Sequence, residues 1–315
     1  MPLLSIMLMM RQYGLKRFCD MVISRKIQVR LNVLFVTAAI LSIVVFSMYE
    51  LGYLEELQGI LAKDHYIFYW MLLVGVFAEI VAGSMGMGYG VICTTTLMLL
   101  NIPPHIVSAS IHSAESFTTA AGSLSHIKLK NVSKSLVKKL AIPAVIGAVI
   151  GAVSLTYLGE YYAKVTKTFI AFYTLYLGFQ ILSNVFKEKQ SKALKRKTNL
   201  TRLGVIGGFI DSFAGGGWGP LVTGTLIKNA FTPRFAVGSS TVAKFILTLT
   251  AAITFFLTLG IQHWNIILGL LIGGIITAPF SAMLTAKLPV KKMFVIIGTL
   301  VIVMSSITIY KSVFN

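Results

Sequence analysis

The strongest constraint on the fold of this chain is a series of long apolar stretches. A helix needs about 20 mostly apolar residues to cross the hydrocarbon core of a bilayer. Charged residues make up only 12% of the chain, roughly half of their share in soluble domains. The sequence therefore predicts an all-α polytopic membrane protein. The stretches that approach or reach the spanning length are 31–49, 66–83, 140–158, 168–186, 264–286 and 293–311.

Positive charge is concentrated between these apolar stretches. Segments 1–30, 127–139, 187–203 and 287–292 hold 21 of the 28 Lys and Arg residues. Cytoplasmic loops of membrane proteins are enriched in this way. The net charge of +18 therefore predicts membrane orientation, with a cytoplasmic N-terminus, rather than nucleic-acid binding. Segment 50–65 carries four acidic residues and one lysine, which predicts an external loop.

The chain contains an internal repeat. GVFAEIVAG at 75–83 aligns with GGFIDSFAG at 207–215, and further along Pro104 aligns with Pro233 and Ser110 with Ser239. The charge pattern places the two copies in opposite orientations, which predicts an inverted-topology repeat of the kind found in transporters. The expected organisation is a basic tail 1–30, an extra helix 31–49, an external loop 50–65, repeat 66–187, a basic loop 188–203 and repeat 204–315.

Each copy contains a glycine-rich break, GSMGMGYG at 83–90 and GGGWGP at 215–220. Irregular backbone at membrane depth must be buried in protein or line a wet cavity. A half-helix that begins after such a break directs unpaired N–H groups into that cavity and attracts anions. Alternatively, the glycines only allow tight helix packing. The first interpretation places Gly86, Gly88, Gly216, Gly217 and Trp218 at a substrate site.

The number of membrane crossings depends on these breaks. Segments 204–214 and 219–229 are each about 11 residues long and too short to span the hydrocarbon core. We expect 204–229 to be a re-entrant helix–break–helix and 66–101 to be its longer counterpart. Seven spans result in that case. If both arms of each hairpin cross the membrane, the number is eleven, and the predicted inversion of the repeats is unchanged.

Hydroxyl side chains follow the aligned prolines in both copies. Their O–H groups can donate to the oxygens of an anion, or they can bond the carbonyl four residues earlier in their own helix. The matched pair of Ser110 and Ser239 favours a role at the substrate. The predicted substrate-binding hydroxyls are Ser110, Ser113, Ser239, Ser240 and Thr241.

Ionisable side chains within apolar segments form repeat-related pairs. Glu79 aligns with Asp211, and Glu115 aligns with Lys244. Intramembrane charges of this kind indicate functional sites. Lys244 is expected either to pair with Glu115 or to face the substrate. Glu79 and Asp211 are expected either to cap the half-helix after each break or to carry protons.

His112 is the remaining candidate in these segments. It lies three residues before Glu115, which places both on one helix face. Two roles are open for its imidazole: a proton relay that also contacts the substrate, or a hydrogen bond within the bundle.

At these residues the sequence resembles the sulfite exporter TauE/SafE family, also called the toluene sulfonate uptake permeases. The resemblance covers about 66–312 and rests on the duplication, on GGGWGP at 215–220 and on IPPHIVSASIHSAESFTTAAGSLSH at 102–126. It implies a secondary transporter in a bacterial cell membrane that moves small sulfur-containing anions, usually outward, without a cofactor. The first copy departs from the family pattern because Gly88 stands where the second copy has Pro220.

Three other functions are compared with this one. An anion channel with the same filter remains the alternative. An intramembrane hydrolase is disfavoured because no GxSxG motif occurs and His112 and Ser116 lack a third orienting group. A metal transporter or metal site is disfavoured because His, Cys and acidic residues within the apolar segments are few and scattered. The expected partners are a sulfur-containing anion and membrane lipid, with homo-oligomerisation left open.

Overall fold

The computed structural model describes residues 65–85, 87–183, 198–229, 231–260, 263–284 and 290–314. These residues are helical apart from short connections, and none of them forms a β-strand. The predicted tail 1–30, extra helix 31–49, nearly all of loop 50–65, most of loop 188–203 and Gly86 lie outside the described residues.

The helices follow the apolar stretches and are bounded by turn and capping residues. Proline stands in the first turn of two helices, where its missing N–H is not needed. Side chains cap two others, since Ser133 Oγ accepts from Leu136 N and Asn199 Oδ1 accepts from Arg202 N. The helices are α1 (His65–Met85), α2 (Tyr89–Leu99), α3 (Pro104–Lys128), α4 (Lys134–Tyr161), α5 (Ala163–Ser183), α6 (Leu200–Ala214), α7 (Gly224–Lys228), α8 (Pro233–Leu259), α9 (Trp264–Leu284) and α10 (Val290–Phe314).

Some helix limits differ from the predicted ones. Helix α6 begins at Leu200 rather than at 204, because the Asn199 cap starts the helix inside the predicted loop. The predicted half-helix 219–229 is instead a π-helical turn, Gly219–Thr223, followed by the short α7.

Four of the described helices are long and apolar enough to cross a membrane, namely Lys134–Tyr161, Ala163–Ser183, Arg234–Leu259 and Lys292–Phe314. Three further apolar helices are shorter, Tyr66–Ala82, Tyr89–Leu99 and Trp264–Ala278. Large apolar side chains are exposed on the outer surface, including Ile142, Phe169, Leu257 and Ile296. A bilayer accommodates this surface and water does not, which agrees with the predicted polytopic membrane protein.

The most extensive helix contacts are those of α1 with α9, α4 with α6, α5 with α10, α3 with α8 and α4 with α8. Glycines bring two of these pairs into close backbone contact. A Cβ atom at Gly273 would lie 2.3 Å from Leu72 O, and one at Gly208 would lie 2.3 Å from Ala144 O. Small residues at such seams let membrane helices gain dispersion contacts that larger side chains would prevent.

Candidate functional site

Two breaks interrupt the helices at the predicted glycine runs. The first break includes residues 87–88 and lies between α1 and α2, and the second break, residues 215–217, separates α6 from the helical residue Trp218 and the π-helical turn. Gly88 has φ 110° and Gly215 has φ 68°. A side chain is disfavoured at these angles, so glycine lets the chain leave its helical path at both places.

The second break meets the start of α2, directly after the first break, in the interior of the bundle. A Cβ atom at Gly90, one residue into α2, would lie 2.4 Å from Gly215 O and 2.8 Å from Gly216 Cα. A Cβ atom at Gly216 would lie 2.7 Å from Gly90 C and from Val91 N. Thr94 also donates from Oγ1 to Ala214 O at 3.3 Å. The second break is therefore closed against the start of α2 in this conformation.

A hydrogen bond between Asp211 and Trp218 connects the two sides of the second break. The backbone N–H of Trp218 donates to Asp211 Oδ1 at 2.7 Å, which satisfies an amide at the start of the following helical turn. The indole is buried, and its Nε1–H donates to Ser240 Oγ at 2.9 Å. Ser240 Oγ also lies 2.6 Å from Thr223 Oγ1. This geometry assigns Trp218 and Ser240 to a buried hydrogen-bonded unit behind the break.

His112 faces Asp211 across the interface of α3 and α6. Nε2 of the histidine lies 3.5 Å from Oδ2 of the aspartate, and both side chains are almost fully buried. Nδ1 lies 2.8 Å from Ser108 O, and Ser108 Oγ donates to Ser212 O at 2.6 Å. The sequence placed His112 beside Glu115, and its pairing with Asp211 was not predicted.

A second ionic contact joins α3 to α8. Lys244 Nζ donates to Glu115 Oε1, and the two side chains are 17% and 4% exposed. Glu79 on α1 is also buried and close enough for its charge to interact with both. The cluster of Glu79, Glu115, Asp211, His112 and Lys244 thus contains three carboxyl groups, one lysine and one histidine.

Several predicted hydroxyl ligands have protein partners in this conformation. Ser113 Oγ donates to Ala109 O at 2.8 Å and Thr241 Oγ1 donates to Val237 O at 2.9 Å, so both bond their own helix. Ser239 Oγ accepts from the backbone N–H of Ser133 at 2.9 Å and thereby connects α8 to the start of α4.

The contact of Ser239 leads to a stability prediction. We expect Ser239→Ala to lower the free energy of unfolding by about 1–3 kcal/mol, because the Ser133 N–H loses its partner in a partly buried place. The apparent anion affinity should not change. Thermal unfolding in detergent and concentration-dependent transport measure the two quantities, and unchanged stability with weakened affinity would return Ser239 to the substrate site.

A cavity of about 360 Å³ lies between α3, α8 and α9. Ser110, Ser113 and Ser116 supply its hydroxyl groups, and its other lining residues are mainly apolar. The lining residues Phe117 and Phe256 are exposed at the surface, so the cavity reaches the outer face of the bundle. Of the predicted substrate residues, Ser110 and Ser113 line this cavity, whereas the second break and Lys244 lie elsewhere.

Sequence reasoning missed two residues of the site. Thr94 and Tyr173 contact or face the second break, yet each lies more than 40 residues from it along the chain. Ser108 was a candidate anion donor in the sequence, but its hydroxyl donates to Ser212 O. Tyr173 is close enough that a Cβ atom at Gly217 would lie 2.3 Å from its hydroxyl oxygen. The sequence pattern of these helices does not indicate that Thr94 and Tyr173 lie close to the second break. Within the described ranges, no group of three or more His, Cys, Asp or Glu residues is placed to hold a metal ion.

Apolar helices with paired interior breaks and buried ionisable side chains define a membrane transporter. Sequence comparison agrees with that class, because the profile "Sulfite exporter TauE/SafE" matches residues 71–307. The chain belongs to the sulfite exporter TauE/SafE family, as the resemblance predicted. This is a family of membrane transporters rather than enzymes.

Relatives with bacterial sources carry the same kind of description. The chain is 38% identical over 245 residues to the probable membrane transporter protein YtnM of Bacillus subtilis, covering 75% of this chain and 80% of that protein. It is 25% identical over 240 residues to a probable membrane transporter protein of Haemophilus influenzae, covering 70% and 89% of the two chains. No solved structure matches this chain. The comparisons and the apolar helices together indicate a bacterial multi-pass membrane protein.

Proposed function

We propose that this protein is a secondary transporter that exports small sulfur-containing anions, such as sulfite or organosulfonates, by alternating access. The observation that carries the proposal is the contact inside the bundle between the second glycine break and the start of α2, which follows the first break, with Asp211, His112 and Lys244 close by. The family description supplies the class of anion. The N-terminus is proposed to lie in the cytoplasm, following the distribution of positive charge.

The helix packing supports an inverted repeat. Aligning the two copies matches α1 with α6, α3 with α8, α4 with α9 and α5 with α10. Exchanging the copies then converts the α1–α9 pair into the α6–α4 pair, while α3–α8 and α5–α10 each map onto themselves. This exchange is what a pseudo-two-fold axis between the copies produces, and transporters rock their repeats about such an axis.

The substrate site is proposed to lie between the breaks when they separate. Separation of Gly90 from Gly216 would free backbone N–H groups at the starts of the two half-helices, which attract anions. Lys244 would add positive charge if it turns away from Glu115. The predicted ligands Gly88, Gly216, Gly217 and Ser110 are retained as proposals for that open conformation.

The charges of the cluster favour proton coupling. When all three carboxyl groups are ionised, Glu79, Glu115 and Asp211 carry three negative charges. Lys244 and a protonated His112 carry only two positive charges, so the cluster would repel an anion. Protonating one or more of these groups removes the excess negative charge. A proton that enters with the anion, or is exchanged for it, is therefore part of the proposed cycle.

Reconstitution into liposomes tests this function. Labelled sulfite, sulfate, thiosulfate and taurine should be offered in turn, with and without an imposed pH gradient. We expect at least one anion to accumulate against its gradient when the pH gradient is present. Movement of none of them would refute the substrate class, and flux that a pH gradient never drives uphill would favour the anion channel.

A further inference from the structure

We propose that His112 and Asp211 form a single proton-binding site, with one exchangeable proton held between Nε2 and Oδ2, and that this proton keeps the second break closed. The inference rests on the proposed function and specifies where its coupling proton is held. The site joins helices from the two copies, since His112 lies on α3 and Asp211 lies on α6.

The hydrogen bonds around Nδ1 determine the state of the imidazole. Ser108 O, 2.8 Å from Nδ1, is a carbonyl oxygen and only accepts. The Ser108 hydroxyl lies 3.2 Å from Nδ1, but its hydrogen is donated to Ser212 O at 2.6 Å. Both neighbours are therefore acceptors, and Nδ1 carries a hydrogen. In the neutral ring, Nε2 then presents a lone pair.

That lone pair faces Asp211. Oδ2 lies 3.5 Å from Nε2, and neither atom has a hydrogen-bond partner among the residues that the structure describes. Two acceptors facing each other in a site with almost no solvent exposure are unfavourable. One added proton removes the conflict, because it turns Nε2 into a donor or the carboxylate into a carboxylic acid. The buried pair therefore binds one proton.

Groups on the surrounding helices also act on this proton. Lys244 on α8 and the hydroxyl of Tyr173 on α5 interact electrostatically with Asp211. Glu115 on α3 is bonded to Lys244, and Glu79 on α1 interacts with both members of that pair. Cys93 on α2 interacts electrostatically with Glu115, Glu79 and Lys244. The bond to Glu115 compensates part of the charge of Lys244, whereas His112 faces Asp211 directly.

Loss of the proton would act directly on the second break. Asp211 uses its other oxygen, Oδ1, to hold the Trp218 N–H, so the same side chain contacts both α3 and the first turn beyond the break. Without the proton, the repulsion between Nε2 and Oδ2 opposes the packing of α6 on α3. The break and Gly216 are then released from α2. The opened site takes up an anion together with a proton, which offsets the negative charge of the cluster.

Trp218 provides a readout that does not depend on substrate. Trp70 and Trp264 are partly exposed, so replacing both with phenylalanine leaves Trp218 as the reporter tryptophan. We expect Trp218 emission of the purified full-length protein to change with pH as a one-proton transition. Asp211→Asn should abolish it, because the asparagine amide donates to Nε2 permanently while its oxygen still accepts from Trp218. His112→Gln should also abolish it.

The matched control is Ser125→Ala, which removes an exposed hydroxyl from the same helix α3 and should keep the transition.

In liposomes, Asp211→Asn should also reduce anion-dependent proton movement to the level without protein. A transition that persists in both Asp211→Asn and His112→Gln would overturn the inference. If the wild type moves an anion without protons, the inference fails and the transporter remains; if no anion moves but the transition behaves as expected, only the substrate class fails.

Discussion

Replacing Lys244 with alanine is expected to lower the free energy of unfolding by about 3–5 kcal/mol, because Glu115 keeps its charge in the interior without its partner. The Glu115 side chain is only 4% exposed, so water cannot replace the lysine. The same substitution should weaken anion binding if Lys244 also faces the substrate. Thermal unfolding in detergent and transport at increasing anion concentration measure these two effects.

The double variant Lys244→Ala with Glu115→Ala separates the two roles of the lysine. Removing both charges eliminates the unpaired ion, so we expect the double variant to recover most of the stability lost in the single variant. Recovery of stability without recovery of affinity would indicate that Lys244 also binds the anion. Lys139→Ala is the control, since Lys139 is exposed on α4. If the single variant matches wild type in both stability and affinity, Lys244 does not belong to the site.

Substituting Gly90 with alanine is expected to abolish transport. The added Cβ would lie 2.4 Å from Gly215 O and 2.8 Å from Gly216 Cα, and these are backbone atoms that cannot rotate away. The second break could then no longer close against α2, so the protein would lose the closed conformation of the proposed transport cycle. The overpacking should also cost about 1–3 kcal/mol of stability. Initial transport rates in liposomes and thermal unfolding test both expectations.

Gly122→Ala is the matched control for this substitution. Gly122 is a half-buried glycine of α3, and its added Cβ would meet only Thr241 Cγ2 at an ordinary 3.4 Å. Gly216→Ala provides the reciprocal change, because its Cβ would lie 2.7 Å from Gly90 C. Both break variants should lose transport to a similar degree while the control retains it. Full transport by a folded Gly90→Ala protein would contradict the proposed role of break closure.

Helix α3 connects the charged groups that these experiments address. Ser108 and His112 contact α6 on one side, and Glu115 contacts Lys244 of α8 on another. A change of charge in either contact therefore alters the forces on α3, which also supplies Ser110 to the cavity. We expect the Lys244 and Asp211 variants to show non-additive effects on transport for this reason.

Sequence alone was sufficient for most of the described helices and for the second break, although not for the π-helical turn Gly219–Thr223. Apolar stretches predicted the helices, and GGGWGP predicted the break that follows Ala214. These features depend on local chemistry: apolar length, the missing N–H of proline and the left-handed conformation that Gly215 adopts. The family followed from the same local motifs, because they occur twice at equivalent positions.

The sequence offered Glu115 as a partner for Lys244, but other partners across the bundle were decided only by the tertiary structure. The sequence placed His112 with Glu115 on a helix face, whereas packing brings it to Asp211, on a helix almost 100 residues further along the chain. Gly90 and Gly216 were likewise not paired by any pattern. Periodicity specifies which residues share a helix face, but the rotation and depth of each helix against its neighbours arise from the whole set of packing contacts. Those contacts select which buried polar groups meet.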